Sequence, residues 1–415
     1  MRKTFLALLG ACALLTGCAS QNVVLHQSEQ TEITLAWWGN DKRNEYTIEA
    51  VQQFEALHPD IKVHMSYSEW SGYESRNRIQ MVAATEADVM QINFGWLPEF
   101  SPDGEGYYDI ESLAEFVDLT NFDEAMLAYG RRDGILNAVP IAMNAETVYL
   151  NKTIYDRYSL EIPETWEDFE HAAEVMSPDG VYPLSAPSKG LWLYTIAYAE
   201  QVTGRQFLRE DGTLNFTADE LRIMLEFYER MVEKKVFPQA EYYDRVNIDN
   251  RNYAGVVAWV SDANNYLGAV MEQGDEVVVA PYTHSADCES GDGWYAKPAT
   301  LYAISKDTDH PEESAMLLDF LLNSSEMASL QGVEKGVPLS LAAREALTEE
   351  GLLDGLQYEA SLCMEQNENL EQMNSFVENA DMIDCFIAAA NLLLYDKATP
   401  EEAANSLYVE IKENF

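Results

Sequence analysis

Basic side chains are scarce in this sequence: 26 Lys and Arg stand against 71 Asp and Glu, a formal charge of −45. Nucleic-acid binding needs a cationic footprint that displaces counterions from phosphates, and the sequence offers none. The acid is spread along the chain without a polyacidic tail, so it reads as a solvated surface that resists aggregation. Histidine is rarer still, with six residues. His58 and His64 are too far apart for a helical metal pair, and no His-Glu-x-x-His occurs. A Gly-x-Ser-x-Gly elbow and a phosphate loop are also missing. Asp287 to Asp292 departs from the spacing of a calcium loop. No metal or cofactor is therefore expected. Carboxylate pairs are too numerous here to diagnose a glycosidase, so a secreted carbohydrate-active enzyme stays as the lesser alternative.

Long apolar runs are limited to one, Phe5 to Leu15, preceded by Arg2 and Lys3. It is shorter than the roughly 20 residues a bilayer requires and has the build of a secretory signal peptide. Leu15-Thr16-Gly17-Cys18 follows. These four residues resemble the bacterial lipobox, which implies cleavage before Cys18 and acylation (palmitate or a like chain) of its thiol. Residues 1–17 are then a signal peptide and 18–31 a lipidated cysteine with a polar tether. Such a protein faces outward from a cell membrane, at the cell surface or in a periplasm. Two or more acyl chains anchor stably, each buried CH₂ contributing about 0.8 kcal/mol.

Cysteine is sparse as well. Cys288, Cys363 and Cys385 remain beyond the N-terminal segment, and an odd number denies a complete disulfide framework. Cys363 and Cys385 fall in helical-looking sequence and would pair only if their helices meet; three free thiols fit equally.

What remains is too long for one ordinary domain and suits two. It opens with strand and helix signals in alternation. Glu32 to Trp37 alternates as a strand, Glu45 to Leu57 has helical spacing, and Ile61 to Tyr67 alternates again. A helix over Tyr73 to Ala84 follows, its apolar spacing placing Ile79, Val82 and Ala83 inward, and then a buried strand over Asp88 to Ile92. This order implies a layered α/β lobe with parallel pairing, in which ligands bind beyond the carboxyl ends of the strands. All three ends carry tryptophan: Trp37 and Trp38, then Trp70, then Trp96. Adjacent strand residues point to opposite faces, so Trp38 is read as outward and Trp37 as core. Further on, Ala138 to Ile141 and Asn144 to Asn151 read as a crossing strand, Thr165 caps a helix with Asp168 three residues later, and Asp219 to Lys234 is amphipathic. Val277 to Pro281 is another buried strand, and Pro298 to Ser305 one that returns to the first lobe.

The ordered set of motifs resembles the extracellular solute-binding proteins of ABC importers, in the sugar-handling family that includes maltose-binding proteins. Ile33 to Trp38, Ala50 to Glu55 and His58 to Val63 are similar to its opening strand-helix-strand. Ala87 to Met90 matches its third strand, although Thr85-Glu86 replaces the usual turn. Val139-Pro140 through Lys152, Pro163 to Phe169, Asn252 to Trp259 and Lys335 to Leu339 resemble its hinge crossing, next helix start, ligand-side strand and late loop. The resemblance implies a two-lobed α/β fold of the periplasmic-binding-protein type II, each lobe a mainly parallel sheet flanked by helices and joined by hinge strands. The expected lobes are 32–142 with about 297–338, and 143–296 with about 339–415. Closure around a ligand is the implied motion, and an ABC permease the implied partner of a monomeric receptor.

A sugar presents apolar C–H faces edged by hydroxyls, so its site needs flat rings below and amides or carboxylates around the rim. Trp38, Asn40, Arg43, Trp70, Asn93 and Trp96 suit this at the strand ends. From the other lobe the resemblance implies Glu146, Trp192, Trp259, Asp262, Trp294 and Tyr295. Trp192 could equally anchor a core helix. Trp294 and Tyr295 follow Gly291-Asp292-Gly293, a loop setting that favours exposure. The expected ligand is a neutral oligosaccharide. The rival is an anionic uronide, because the tryptophan-rich opening and Asn93 to Phe100 resemble a subgroup that includes oligogalacturonide binders; Arg43, Arg76 and Arg78 would then meet carboxylates.

Overall fold

The computed structural model describes residues 30–414; the signal peptide, Cys18 and most of the expected tether lie outside the described residues. The chain begins with β1 (Thr31–Trp38), α1 (Asp41–Leu57), β2 (Ile61–Ser68), α2 (Trp70–Ala83), β3 (Val89–Ile92) and the short α3 (Trp96–Phe100). β1 pairs in parallel with both β2 and β3. Alternation splits the lobe into two cores. Ile33, Leu35 and Trp37 point into one with Phe54 of α1, while Ala36 points into the other with Tyr73 of α2.

The rotation of α2 differs from the expected one. Tyr73 and Asn77 face the sheet, whereas Ile79 and Val82 are 69% and 84% exposed, and Ala83 is exposed too. The Tyr73 hydroxyl donates to the backbone carbonyl of Gln91, 2.6 Å away, and fixes which side of the helix faces inward. Ile79 and Val82 then lie about 120° and 180° around the helix at about 100° per residue. A polar group that must be satisfied outweighs a weak apolar stripe.

The chain then passes between lobes on β4 (Ala138–Asn151), an uninterrupted strand buried along its whole length. α4 (Trp166–Met176), α5 (Ser188–Thr203) and α6 (Ala218–Glu233) follow, then β5 (Gly255–Trp259), α7 (Ala263–Glu272) and β6 (Val277–Ala280). Both α4 and α6 open with capping boxes, Thr165 with Asp168 and Thr217 with Glu220. β7 (Tyr295–Ile304) runs back, beginning earlier than expected, so it is a hinge strand in its own right. α8 (Pro311–Asn323), α9 (Ser325–Gln331) and α10 (Leu341–Glu350) pack beside the first lobe, and α11 (Gly355–Glu365), β8 (Glu371–Gln372), α12 (Ala380–Leu394) and α13 (Pro400–Asn414) complete the second. α10 meets α9 through Ala328, Ala343 and Leu347. The final crossover therefore lies beyond Glu350 rather than near 339.

The strands join in the order β2-β1-β3-β7-β4-β5, with β8 on β7 and β6 on β4. The fold is two-lobed α/β, but the second lobe is not mainly parallel: β5 and β6 both run antiparallel to β4. Because β4 enters that lobe from the hinge, the strands beside it are those heading back. Along β4, Val148 and Leu150 point into one core and Ala145 and Tyr149 into another. Cys363 on α11 and Cys385 on α12 are free, as is Cys288.

Candidate functional site

At the carboxyl ends of the first-lobe strands, alternation separates the two adjacent tryptophans. Trp37 is wholly buried, donates its indole N–H to Asn44 at 3.0 Å and stacks on Tyr67. Trp38 lies on the other face, half-buried. Its ring meets Trp70 edge-on at 4.9 Å, and Trp70 lies parallel to Trp96 at 5.8 Å. The structure thus brings Trp38, Trp70 and Trp96 into one aromatic wall. Trp96 is only 2% exposed, so it backs the wall and leaves contact to the other two. Asn40 and Asn93 border it, each with its amide oxygen in a local turn: Asn40 accepts from Arg43 N–H and Asn93 from Gly95 N–H, both at 2.9 Å.

Arg43 on α1 is held by Glu334, donating to its backbone carbonyl at 3.0 Å, and Lys42 pairs with the Glu334 side-chain carboxylate at 2.8 Å. The neighbouring Lys335 is buried and donates to the Tyr302 hydroxyl at 2.9 Å. Burial, helped by the Arg43 charge, pushes its amine down to about 7. Arg76 and Arg78 lie on α2. Arg78 stands over Trp96 and is tied to Glu74 and Glu99.

In the second lobe, register assembles the site. Glu146 on β4 is directly opposite Trp259 on β5, and Asn144 is directly opposite Lys297 on β7. Directly paired residues share a face, so all four side chains leave the same side of the hinge sheet. Lys297 places its ammonium 4.6 Å from the Trp259 ring centroid and pairs with Glu378, which Lys189 also meets at 3.1 Å. Burial alone would raise the Glu378 carboxyl, but the two lysines outweigh it and hold it below the usual range. Glu146 lacks such a partner. Burial raises it to about 8, Lys189 only partly offsetting the effect. Asp262, just after β5, is likewise raised by burial, with Asn265 and the Arg43 of the other lobe pulling against it. The charge of Arg43 in the first lobe therefore reaches Asp262 in the second.

Two expected second-lobe contacts, Trp192 and Trp294, sit elsewhere, and a third, Tyr295, lines the groove described below. Trp192 is wholly buried on α5 between Phe207 and Phe386, donating its indole N–H to the Val377 carbonyl at 2.8 Å. Trp294 is buried between Tyr194 and Tyr282 and donates to the Thr283 carbonyl at 3.0 Å. Gly291 and Gly293 both adopt positive φ, which folds the loop tightly enough to turn the indole inward. Tyr295 is mostly buried and donates to Glu200.

A groove of about 680 Å³ lies next to this cluster, lined by Phe94, Pro98 and Arg132 of the first lobe and Gln206, Arg209 and Asn374 to Phe376 of the second. The lobes approach closely here: a Cβ built on Gly95 would lie 3.9 Å from the Ser375 side chain. Arg132, Arg209, Lys189, Lys297 and the Asn374–Glu378 segment were missed from the sequence. The one signal was Asn374, a turn-former beside an exposed Phe376. A second, apolar cavity of about 520 Å³ includes Met143 and Ala296, whose register with Pro298 and Ala145 puts it on the back of the hinge.

Residues 49–350 match the model of a family described as bacterial extracellular solute-binding protein. The chain is 29% identical to a periplasmic oligogalacturonide-binding protein of Yersinia enterocolitica, solved with saturated digalacturonic acid. That match covers 92% of this chain and 98% of the other, with a TM-score of 0.83. A periplasmic solute-binding protein of Pectobacterium atrosepticum is 27% identical over 92% and 98% of the two chains, with a TM-score of 0.85. The melibiose/raffinose/stachyose-binding protein of Bacillus subtilis is 26% identical over 41% of this chain and 38% of its own.

Proposed function

Because the chain belongs to the bacterial extracellular solute-binding proteins, we propose that it captures an oligosaccharide between its lobes and delivers it to an ABC permease. The observation that carries this reading is the pairing of two half-sites. Trp38 and Trp70 offer ring surface at the first-lobe strand ends, while Trp259, Glu146 and Asp262 leave the second lobe beside the hinge. The reach of the Arg43 charge to Asp262 supports a gap shared by the two half-sites. A pyranose stacked on the rings would turn its hydroxyls toward Asn40, Asn93, Glu146 and Asp262, which can donate or accept. Closure brings the second set to a ligand already held by the first.

The moving bodies are residues 32–142 with 297–350, and 143–296 with 351–414. Binding occurs without turnover, in a monomer held outside the cell membrane through acylated Cys18. Exchange of Cys18 for Ser should release the protein from membranes, with the lost acyl mass visible by mass spectrometry.

An anionic uronide is the second reading, and a specific observation favours it. In a chain of charge −45, Lys189 and Lys297 converge on Glu378 beside Trp259, and Arg43 acts on Asp262. The Yersinia neighbour holds digalacturonic acid. A thermal-shift screen against neutral oligosaccharides, uronides, peptides and amino acids separates the readings, since ligand raises stability by RT ln(1 + [L]/Kd). A shift with peptides or amino acids alone would refute the sugar reading. Products released from the same sugars would refute binding without turnover.

A further inference from the structure

Where β4 enters the second lobe, Glu146 points at the first turn of α5. A Cβ built on Gly190 would lie 3.5 Å from its Oε2, so the absence of a side chain at Gly190 leaves room for the carboxyl group. α5 runs for 16 residues and starts after Pro187 without a side-chain cap. The N–H groups of such a first turn attract anions. Glu146 is only 3% exposed, yet its Oε2 has no hydrogen-bond partner. Leaving a buried polar atom unpaired is costly, and the position of this one marks a place kept for a ligand group.

Two cations flank the same spot, Lys189 on the first turn of α5 and Lys297 on β7. Both pair with Glu378 and neither with Glu146. Two ammonium groups thus converge on one carboxylate, with Asp262 the other acid nearby, within a chain that is otherwise strongly acidic.

We propose that the first turn of α5, Lys189, Lys297 and Glu146 form a subsite for one carboxylate of an acidic sugar residue, with Trp259 beside its ring and Glu378 steadying the lysines. This rests on the uronide reading above. The charged groups that face Glu146 are Lys189 from α5, Lys297 from β7, Asp262 after β5 and Glu378 before α12, and the hydroxyls of Tyr149 on β4, Tyr266 on α7 and Tyr282 after β6 feel its charge. With its carboxyl raised to about 8, Glu146 carries a proton near neutral pH and donates it in a hydrogen bond to the ligand carboxylate. Above that pH it ionises and repels the same group.

The test is calorimetric titration of the full mature chain with digalacturonate and with the neutral disaccharide of the same linkage, from pH 6.5 to 9. Digalacturonate affinity should fall about tenfold by one pH unit above the Glu146 value, while the neutral sugar stays level. Lys189→Gln, at a side chain 43% exposed and so safe for the fold, should cost about tenfold or more on digalacturonate, as loss of a charged hydrogen bond does, and under about twofold on the neutral sugar. Glu146→Gln should abolish the pH dependence. The subsite is overturned if Lys189→Gln and Lys297→Gln both bind digalacturonate as the parent does, or if Glu146→Gln keeps the parent's slope. Binding of the neutral sugar alone would remove the subsite and leave the receptor standing. Binding of neither would remove the oligosaccharide reading as well.

Discussion

The ammonium of Lys297 stands 4.6 Å from the ring centroid of Trp259, and this contact takes up part of one face of the indole. The cation is fixed by Glu378, so it positions the ring as well as charging it. The rest of the ring is only partly buried. Replacing Trp259 by Ala should weaken oligosaccharide binding by about 2 kcal/mol, the size of a central aromatic contact. Thermal unfolding should change less than for a fully buried tryptophan, because the ring is half-buried at the edge of the second-lobe core. Titration calorimetry beside a melting curve checks both.

Trp192 should behave oppositely. It is enclosed by Phe207 and Phe386, so Trp192→Ala opens a large cavity and should cost about 3–5 kcal/mol of stability. Trp192→Phe keeps much of the packing but strands the Val377 carbonyl, at about 1–3 kcal/mol. Denaturant unfolding distinguishes them, and any affinity loss in the Phe variant should be small beside that of Trp259→Ala.

The exposed face of α2 gives a third expectation. Ile79→Ser and Val82→Ser should leave stability within about 0.5 kcal/mol, as surface substitutions do, whereas Tyr73→Phe removes the hydroxyl that donates to the Gln91 carbonyl and should cost about 1 kcal/mol. Were Val82→Ser the worse of the two, the helix would have to be turned as the apolar spacing alone suggests.

That contrast shows what local sequence carries. Period-two alternation separated Trp37 from Trp38, because a strand leaves a side chain only two directions. Capping boxes at Thr165 and Thr217 were equally local; the first was readable directly from residue spacing. The roles of Trp192 and Trp294 were not, since the same indole serves a core or a ligand and only distant partners decide. Lys189, Lys297 and Glu378 come from α5, β7 and the segment before α12, and no short pattern links them. Ala142 and Met143 fell outside the hinge segments read from sequence, whereas the strand runs on through them with register shifts against β7.

Glu200 provides a pH test independent of ligand. Burial raises this α5 carboxyl to about 8, against hydrogen bonds from Tyr295 and from Phe207 N–H. Between the ordinary 4.5 and about 8 the folded chain keeps a proton that the unfolded chain has released. Stability therefore falls as pH rises through that window. Glu146 adds a slope of the same sign over the same range. Glu200→Gln should flatten the fall without removing it, and gain on the parent by roughly a few kcal/mol near pH 8. Urea midpoints measured from pH 5 to 8 provide the comparison.

Lys335 acts with the opposite sign. Its amine is held at about 7, first by burial and then by Arg43, against an ordinary 10.5. Between those values the unfolded chain binds a proton that the folded chain does not, so this group adds stability as pH rises above 7 and costs stability below it. Lys335→Met keeps the aliphatic stem beside Tyr46 and Tyr302 and removes the titration. The variant should then be more stable than the parent at pH 6, with the difference shrinking toward pH 9 as the parent gains what the variant already has. Because Glu334 precedes this lysine and holds both Lys42 and Arg43, a ligand titration at pH 7.5 is the needed control. Affinity close to the parent's would show that the buried amine governs stability alone, and a large loss would place it in the support of Arg43.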